Sequence, residues 1–175
     1  MSATNSRWPQ HIARALADRI VAELAPFCER IEIAGSLRRN LPNVGDIDLV
    51  VLPKSGMAEA MRQRIKRNAA VEIDGAQNLV VVLKNGLQVD TFIARHAEAD
   101  LLGDVTPCNW ATLLLCRTGS KEHNIKLAQT ALRNGDRWDP YAGVVKNGKA
   151  LPADSESDIF EQLGLAYVPP ARREA

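Results

Sequence analysis

Residues 31–52, IEIAGSLRRNLPNVGDIDLVVL, constrain this chain more than any other stretch. Ile31 to Ala34 and Ile47 to Leu52 are short apolar runs that predict buried strands, and between them lie a Gly-Ser turn, an arginine pair and two aspartates. Side chains alternate along a strand, so Asp46 and Asp48 project to one face while Ile47, Leu49 and Val51 face the other way. Two like charges held side by side repel unless something neutralises them, and a hard divalent cation with oxygen ligands is the usual answer. Taken alone, an Asp-x-Asp pair is more often two solvated acids at the head of a strand. Gly35 and Ser36, followed by Arg38 and Arg39, shift that balance: they offer backbone N–H groups, a hydroxyl and guanidinium forks, the donors that a polyphosphate needs.

Around this unit the chain alternates helical and strand-like patterns. Ile12, Leu16, Ile20 and Leu24 predict a helix over Trp8 to Leu24, ended by Pro26. Met57, Met61 and Ile65 predict a second helix, whose arginines read as a solvated face more readily than as a DNA contact. Leu79 to Leu83 and Leu87 to Ile93 flank Asn85-Gly86, a strong hairpin signal, and the second strand carries Asp90. Residues His96 to Pro107 are polar and mark the expected domain boundary. Beyond them come a helix from Trp110 to Arg117, a break at Thr118-Gly119, and a helix from Lys121 to Asn134 with Ser120 as N-cap and a stripe of Ile125, Ala128 and Leu132. Asn147-Gly148 predicts another hairpin, and Ser155 with Asp158 a capping box on a last helix. The expected fold class is α+β: a mixed or antiparallel sheet flanked by helices over residues 1–103, and a small C-terminal α/β subdomain over 104–175.

Composition narrows the classes further. With 175 residues, 46% hydrophobic and 25% charged, the chain can bury a sizeable core. No apolar run approaches a membrane span and no signal peptide is apparent, so a cytoplasmic protein without a membrane partner is expected. Cys28, Cys108 and Cys116 suit neither a disulfide framework nor a zinc site. A net charge of +1 gives no global signal for nucleic acid, but Lys54 to Arg67 and Arg117 to Lys149 each carry a net +4.

Gly35-Ser36, nine intervening residues and then Asp46-x-Asp48 resemble the nucleotidyltransferase superfamily signature, and GSLRR followed by VGDIDLVV resembles the palm of family X (DNA polymerase beta-like) DNA polymerases. LQVDTF resembles that family's third-aspartate strand, TGSKEHN its nucleotide-binding subdomain, and DIFEQLGLAYVPPARRE its C-terminal end. The resemblance begins near Ile31, leaving no counterpart of the N-terminal lyase domain, so lyase activity is not expected. It implies a template-directed polymerase that adds dNTPs to a primer 3'-hydroxyl on primer-template or gapped DNA, in the setting of DNA repair. Asp46, Asp48 and Asp90 would be the catalytic acids and the ligands of two Mg2+ ions, with Mn2+ as a substitute. Gly35, Ser36, Arg38, Arg39, Gly45, Cys116, Arg117, Gly119, Ser120 and Asn124 would bind the nucleotide, Arg38 being a weaker phosphate ligand than Arg39 and Asn124 meeting the base edge. A monomer is expected.

The chain departs from the family where an aromatic pair commonly precedes the Thr-Gly. Cys116 and Arg117 stand there, so weak discrimination against rNTPs is expected unless backbone near Thr118 or Gly119 screens the 2' position. Two alternatives stay open. One is a nucleotidyltransferase that acts without a template or on a small molecule or protein; the other, less favoured because all three acids are present, is a non-catalytic nucleic-acid-binding protein.

Overall fold

Between Arg7 and Glu174, the residues the computed structural model describes, the chain forms two units that divide after Ile93. The first runs β1 (Trp8–Pro9), α1 (Gln10–Leu24), β2 (Cys28–Ile33), α2 (Gly35–Arg38), β3 (Asn43–Val44), β4 (Asp46–Pro53), α3 (Ala58–Lys66), β5 (Ala69–Asp74), β6 (Asn78–Leu83) and β7 (Gln88–Ile93). Its five-stranded sheet has the order β2-β4-β7-β6-β5, with β4 and β7 parallel and every other pair antiparallel. Ile47, Leu49 and Val51 of β4, Val89 of β7 and Leu79 and Val81 of β6 share one core with α1 and α3. Alternation then puts Asp46, Asp48 and Asp90 on the opposite face of the sheet.

Helix α1 turns most of the expected stripe inward: Leu24 is buried and Leu16 and Ile20 pack against the core, joined by buried Ala13 and Ala17, while Ile12 is exposed. Two alanines on the contact line let the helix lie close to the sheet, which turns the bulkier residues to its sides. Strand β5 was not legible in the sequence. It is an edge strand with a bulge between Val71 and Ile73, and both side chains stay half exposed, so neither a buried run nor a clean alternation announces it. The hairpin joining β6 to β7 closes with Leu83 N–H on the Leu87 carbonyl and Gly86 at φ 87°, while Asn85 Oδ1 accepts the Leu87 N–H.

The second unit contains β8 (Glu98–Ala99), β9 (Val105–Thr106), α4 (Trp110–Thr118), α5 (Lys121–Arg133), β10 (Arg137–Asp139), β11 (Gly143–Lys146), β12 (Lys149–Ala150) and α6 (Glu156–Gln162). Residues 94–103 belong to it rather than to the first unit. Arg95 N–H donates to Asn109 Oδ1 at 2.8 Å and Asn109 N–H to the Arg95 carbonyl, which closes the β8–β9 excursion onto the start of α4. The hairpin from β11 to β12 has Asn147 and Gly148 at φ 51° and 79°, the left-handed pair of a type I' turn. Ser155 and Asp158 form the expected capping box on α6.

Helix α5 begins at the Ser120 cap as expected, with His123 N–H on the Ser120 hydroxyl, but its buried line is His123, Leu127, Thr130 and Ala131. Ile125 and Leu132, two residues of the expected stripe, are exposed. Leu127 and Ala131 meet Ala111 and Leu115 of α4, Val144 of β11, and Ile159 and Phe160 of α6. Among the described residues no helix is long and apolar enough to cross a membrane. Leu127→Ala should destabilise the protein by about 2–5 kcal/mol, because it opens a cavity in this core, whereas Leu132→Ala should stay within about 0.5 kcal/mol. Urea unfolding of the two variants checks the assignment, and the reverse order would restore the stripe expected from sequence.

Candidate active site

The first unit presents its acids through strand pairing. In the parallel β4–β7 pair Asp48 lies directly opposite Asp90, and Asp46 lies opposite Gln88. Neighbouring strands stand about 4.8 Å apart, so Asp48 and Asp90 rise side by side, with Asp46 two residues along on the same face. Gln88 Nε2 donates to Asp90 Oδ1 at 2.7 Å. All three aspartates are partly buried, with Ile47, Leu49 and Val89 packed away beneath them.

Residues 35–38, expected as a turn, form the single helical turn α2, entered from the extended residue Ala34. Ala34 N–H donates to the Asp48 carbonyl at 2.8 Å, which ties this turn to the acid-bearing strand. Gly35 has φ 57°, and a Cβ built on it would stand 1.8 Å from Asp48 Oδ2 and 2.7 Å from its Cγ. The Asp48 carboxylate thus fills the space that any side chain at position 35 would need. The Ser36 hydroxyl is buried without a hydrogen-bond partner, so an acceptor arriving beside it would relieve a desolvated donor.

The two arginines separate. Arg39 acts on Asp46 through charge, while Arg38 lines a depression with Arg14, Asp18 and Glu32 on the α1 side. Gly45 precedes Asp46 with open space around its α-carbon. Burial pushes the Asp46 carboxyl above its ordinary value, against the opposing effects of its own backbone N–H and the Arg39 guanidinium. A carboxyl raised on folding contributes stability below the ordinary carboxylate range and loses it as pH rises through the folded value. Ionised Asp46 therefore works against folding at neutral pH.

Among the described residues no three Asp, Glu, His or Cys side chains are drawn together closely enough to hold a metal ion. The register nonetheless puts three carboxylates on one face beside a glycine cradle and a lone buried hydroxyl, and an all-oxygen donor set of this kind fits a hard cation such as Mg2+ or Mn2+.

In the second unit Asn124 stands in the first turns of α5. Its Nδ2 donates to the Cys116 carbonyl at 2.8 Å, and its Oδ1 is buried without a partner. Gly119 ends α4 with φ 71°, and Ser120 caps α5. The Cys116 thiol hydrogen-bonds with Trp138, and burial raises it to about 12. Arg117 donates from Nη2 to the Tyr141 hydroxyl at 2.9 Å and lies over the Tyr141 ring at 5.5 Å. Asp139 sets up that loop by accepting the backbone N–H groups of Tyr141 and Ala142. Both side chains at the gate positions are thus engaged by residues of β10 and the loop after it, and Trp138 and Tyr141 are the functional neighbours that sequence reading missed. Nothing in their spacing tied them to Cys116 and Arg117.

The basic segment at 54–67 is largely paired within its own unit. Arg62 and Lys66 both bind Asp74, and Arg64 binds Glu23 at 2.8 Å. Its net charge is therefore a weak argument for a DNA surface.

A family model described as DNA polymerase beta thumb matches residues 113–174. The DNA polymerase/3'-5' exonuclease PolX of Bacillus subtilis (strain 168) is 30% identical to the chain over 97% of its length, and DNA polymerase lambda of Rattus norvegicus is 27% identical over 80%. The chain spans 29% and 28% of those two relatives. The crystal structure of Leishmania infantum polymerase beta, a ternary P/T complex, superimposes with a TM-score of 0.77 at 19% identity, covering 98% of this chain and 78% of that one. The fold is thus that of a polymerase beta-type palm joined to a thumb. Residues 113–174 thus match the polymerase beta thumb, and nearly the whole chain is similar to part of these family X DNA polymerases.

Two substitutions test the site as built. Gly35→Ala should cost about 1–3 kcal/mol through the left-handed backbone alone and should displace the Asp48 carboxylate. Asp46→Asn should raise the thermal midpoint at neutral pH without divalent cations, with the gain shrinking as pH falls toward the carboxylate range. Calorimetry across pH reads both, and an Asp46→Asn midpoint at or below wild type at neutral pH would contradict the burial argument.

Proposed function

We propose that the protein is a template-directed DNA polymerase that transfers a nucleotidyl group from a dNTP to a primer 3'-hydroxyl, on primer-template or gapped DNA. The observation that carries this reading is the β4–β7 register, which sets Asp90 opposite Asp48 with Asp46 on the same face. Asp46, Asp48 and Asp90 would hold two Mg2+ ions, or Mn2+ in their place. When bound, the ions lower the pKa of the primer hydroxyl and neutralise the triphosphate charge. Gly35 leaves room for Asp48 and keeps backbone close to the phosphates. The Ser36 hydroxyl donates to a phosphate oxygen, and Arg39 offsets negative charge beside Asp46. Arg38 points to the α1 side and is the weaker phosphate ligand. Phosphoryl transfer asks mainly for positioning and charge neutralisation, which these groups supply.

The second unit selects the nucleotide. Asn124, oriented by the Cys116 carbonyl, meets the base edge, and backbone around Gly119 and Ser120 lies against the sugar. With Cys116 and Arg117 turned to Trp138 and Tyr141, no aromatic side chain from these two positions screens the 2' position, so rNTPs are accepted as well as dNTPs. The protein acts as a cytoplasmic monomer in gap-filling repair.

Primer extension with Mg2+ on gapped, nicked and single-stranded DNA, comparing dNTPs with rNTPs, tests the reading. Wild type should insert the templated nucleotide, and Asp90→Ala should lose at least about 10³-fold in rate while keeping its thermal midpoint. Extension of single-stranded DNA without regard to template would favour template-independent transfer instead. Wild-type rates in Asp90→Ala would refute the assignment of the acids.

A further inference from the structure

Arg173 is fully buried, two residues before Ala175. Its Nη1 donates to Glu156 Oε1 at 2.8 Å, and Glu156 is itself only 6% exposed. Nε donates to the Val168 carbonyl at 2.8 Å, and the guanidinium lies 5.6 Å and 5.7 Å from the Phe160 and Tyr167 ring centres. Breaking such a pair by removing one member leaves an uncompensated buried charge, so the two residues act together. A pair this desolvated is expensive to build, and its position suggests a use beyond stability.

That use lies in the backbone. The Arg173 carbonyl accepts the Ser120 N–H at 3.3 Å. Ser120 is buried and sits at the N-cap of α5, where the helix itself offers its N–H no partner. From Ser120 the connections run onward into the helix: its hydroxyl accepts the His123 N–H, its carbonyl accepts the Asn124 N–H at 3.0 Å, and the Asn124 amide is held on the Cys116 carbonyl. Phe160 also packs on His123 with ring centres 5.6 Å apart.

We propose that Arg173, through its ion pair with Glu156, is a positioning residue for nucleotide selection: the pair clamps the C-terminal turn so that the Arg173 carbonyl fixes the Gly119–Ser120 bend and the start of α5, and with them Asn124. This rests on the nucleotide-selecting role given to the second unit. A clamp of this kind acts on where Asn124 sits, so it governs nucleotide binding rather than the grip on DNA or the chemical step.

The test compares wild type with Glu156→Gln, which keeps shape and an acceptor, and Arg173→Lys, which keeps charge but loses the fork. Amide hydrogen exchange at Ser120 to Asn124 is read beside single-nucleotide kinetics and DNA affinity. Both variants should keep their helical circular dichroism, exchange Ser120 and Asn124 about tenfold faster or more, and raise KM for the dNTP about tenfold, with kcat within about twofold and DNA affinity unchanged. Unchanged exchange at Ser120, or equal losses in kcat and DNA affinity, would overturn the proposal, as would loss of helical signal in both variants, which would make the pair a folding element. If wild type adds no nucleotide, the activity reading fails by itself, and the exchange measurement still decides whether the clamp exists.

Discussion

The parallel pairing of β4 with β7 is the constraint on which the first unit depends. It is the one parallel pair in an otherwise antiparallel sheet, and it brings Asp90 beside Asp48 although 42 positions separate them in the chain. An antiparallel hairpin could not connect these strands. The intervening chain leaves β4, crosses through α3, adds β5 and β6 at the far edge and returns as β7 between β6 and β4. The same alternation that seals Ile47, Leu49 and Val89 into the core leaves the acids on the other face. Fold and site are consequences of one register.

Gly35 shows how closely the site is fitted to its backbone. An Asp48 carboxylate lying where a Cβ would be makes position 35 a glycine on steric grounds, and the left-handed φ makes it so on conformational grounds. Asp46 pulls the other way: its burial works against ionisation. The unit thus holds a group whose charged form its surroundings oppose.

Much of this was legible from sequence because the motifs are short and local. Gly35-Ser36 and Asp46-x-Asp48 fall on adjoining elements, and the Asn147-Gly148 hairpin and the Ser155–Asp158 cap form as their residues predict. What escaped was set by contacts distant in sequence. The buried line of α5 passes through Leu127 and Ala131 rather than Ile125 and Leu132 because α4 and α6 claim that side, and the apolar residues on both lines look alike in a helical pattern. Strand β5 stayed hidden because an edge strand with a bulge carries little alternation. Trp138 and Tyr141 could not be paired with Cys116 and Arg117 without the turn that Asp139 builds. The Arg172-Arg173 pair in the last residues gave no hint that Arg173 is completely buried.

The central claim is that the β4–β7 acids form a two-cation site that completes itself around a nucleotide. Electron paramagnetic resonance of Mn2+ titrated into the protein with dideoxy-terminated gapped DNA and the templated dNTP measures this directly. The account predicts two bound ions per chain, with at least one lost in Asp48→Asn. A chain that binds no Mn2+ under these conditions, or binds it equally well without Asp48, would contradict it.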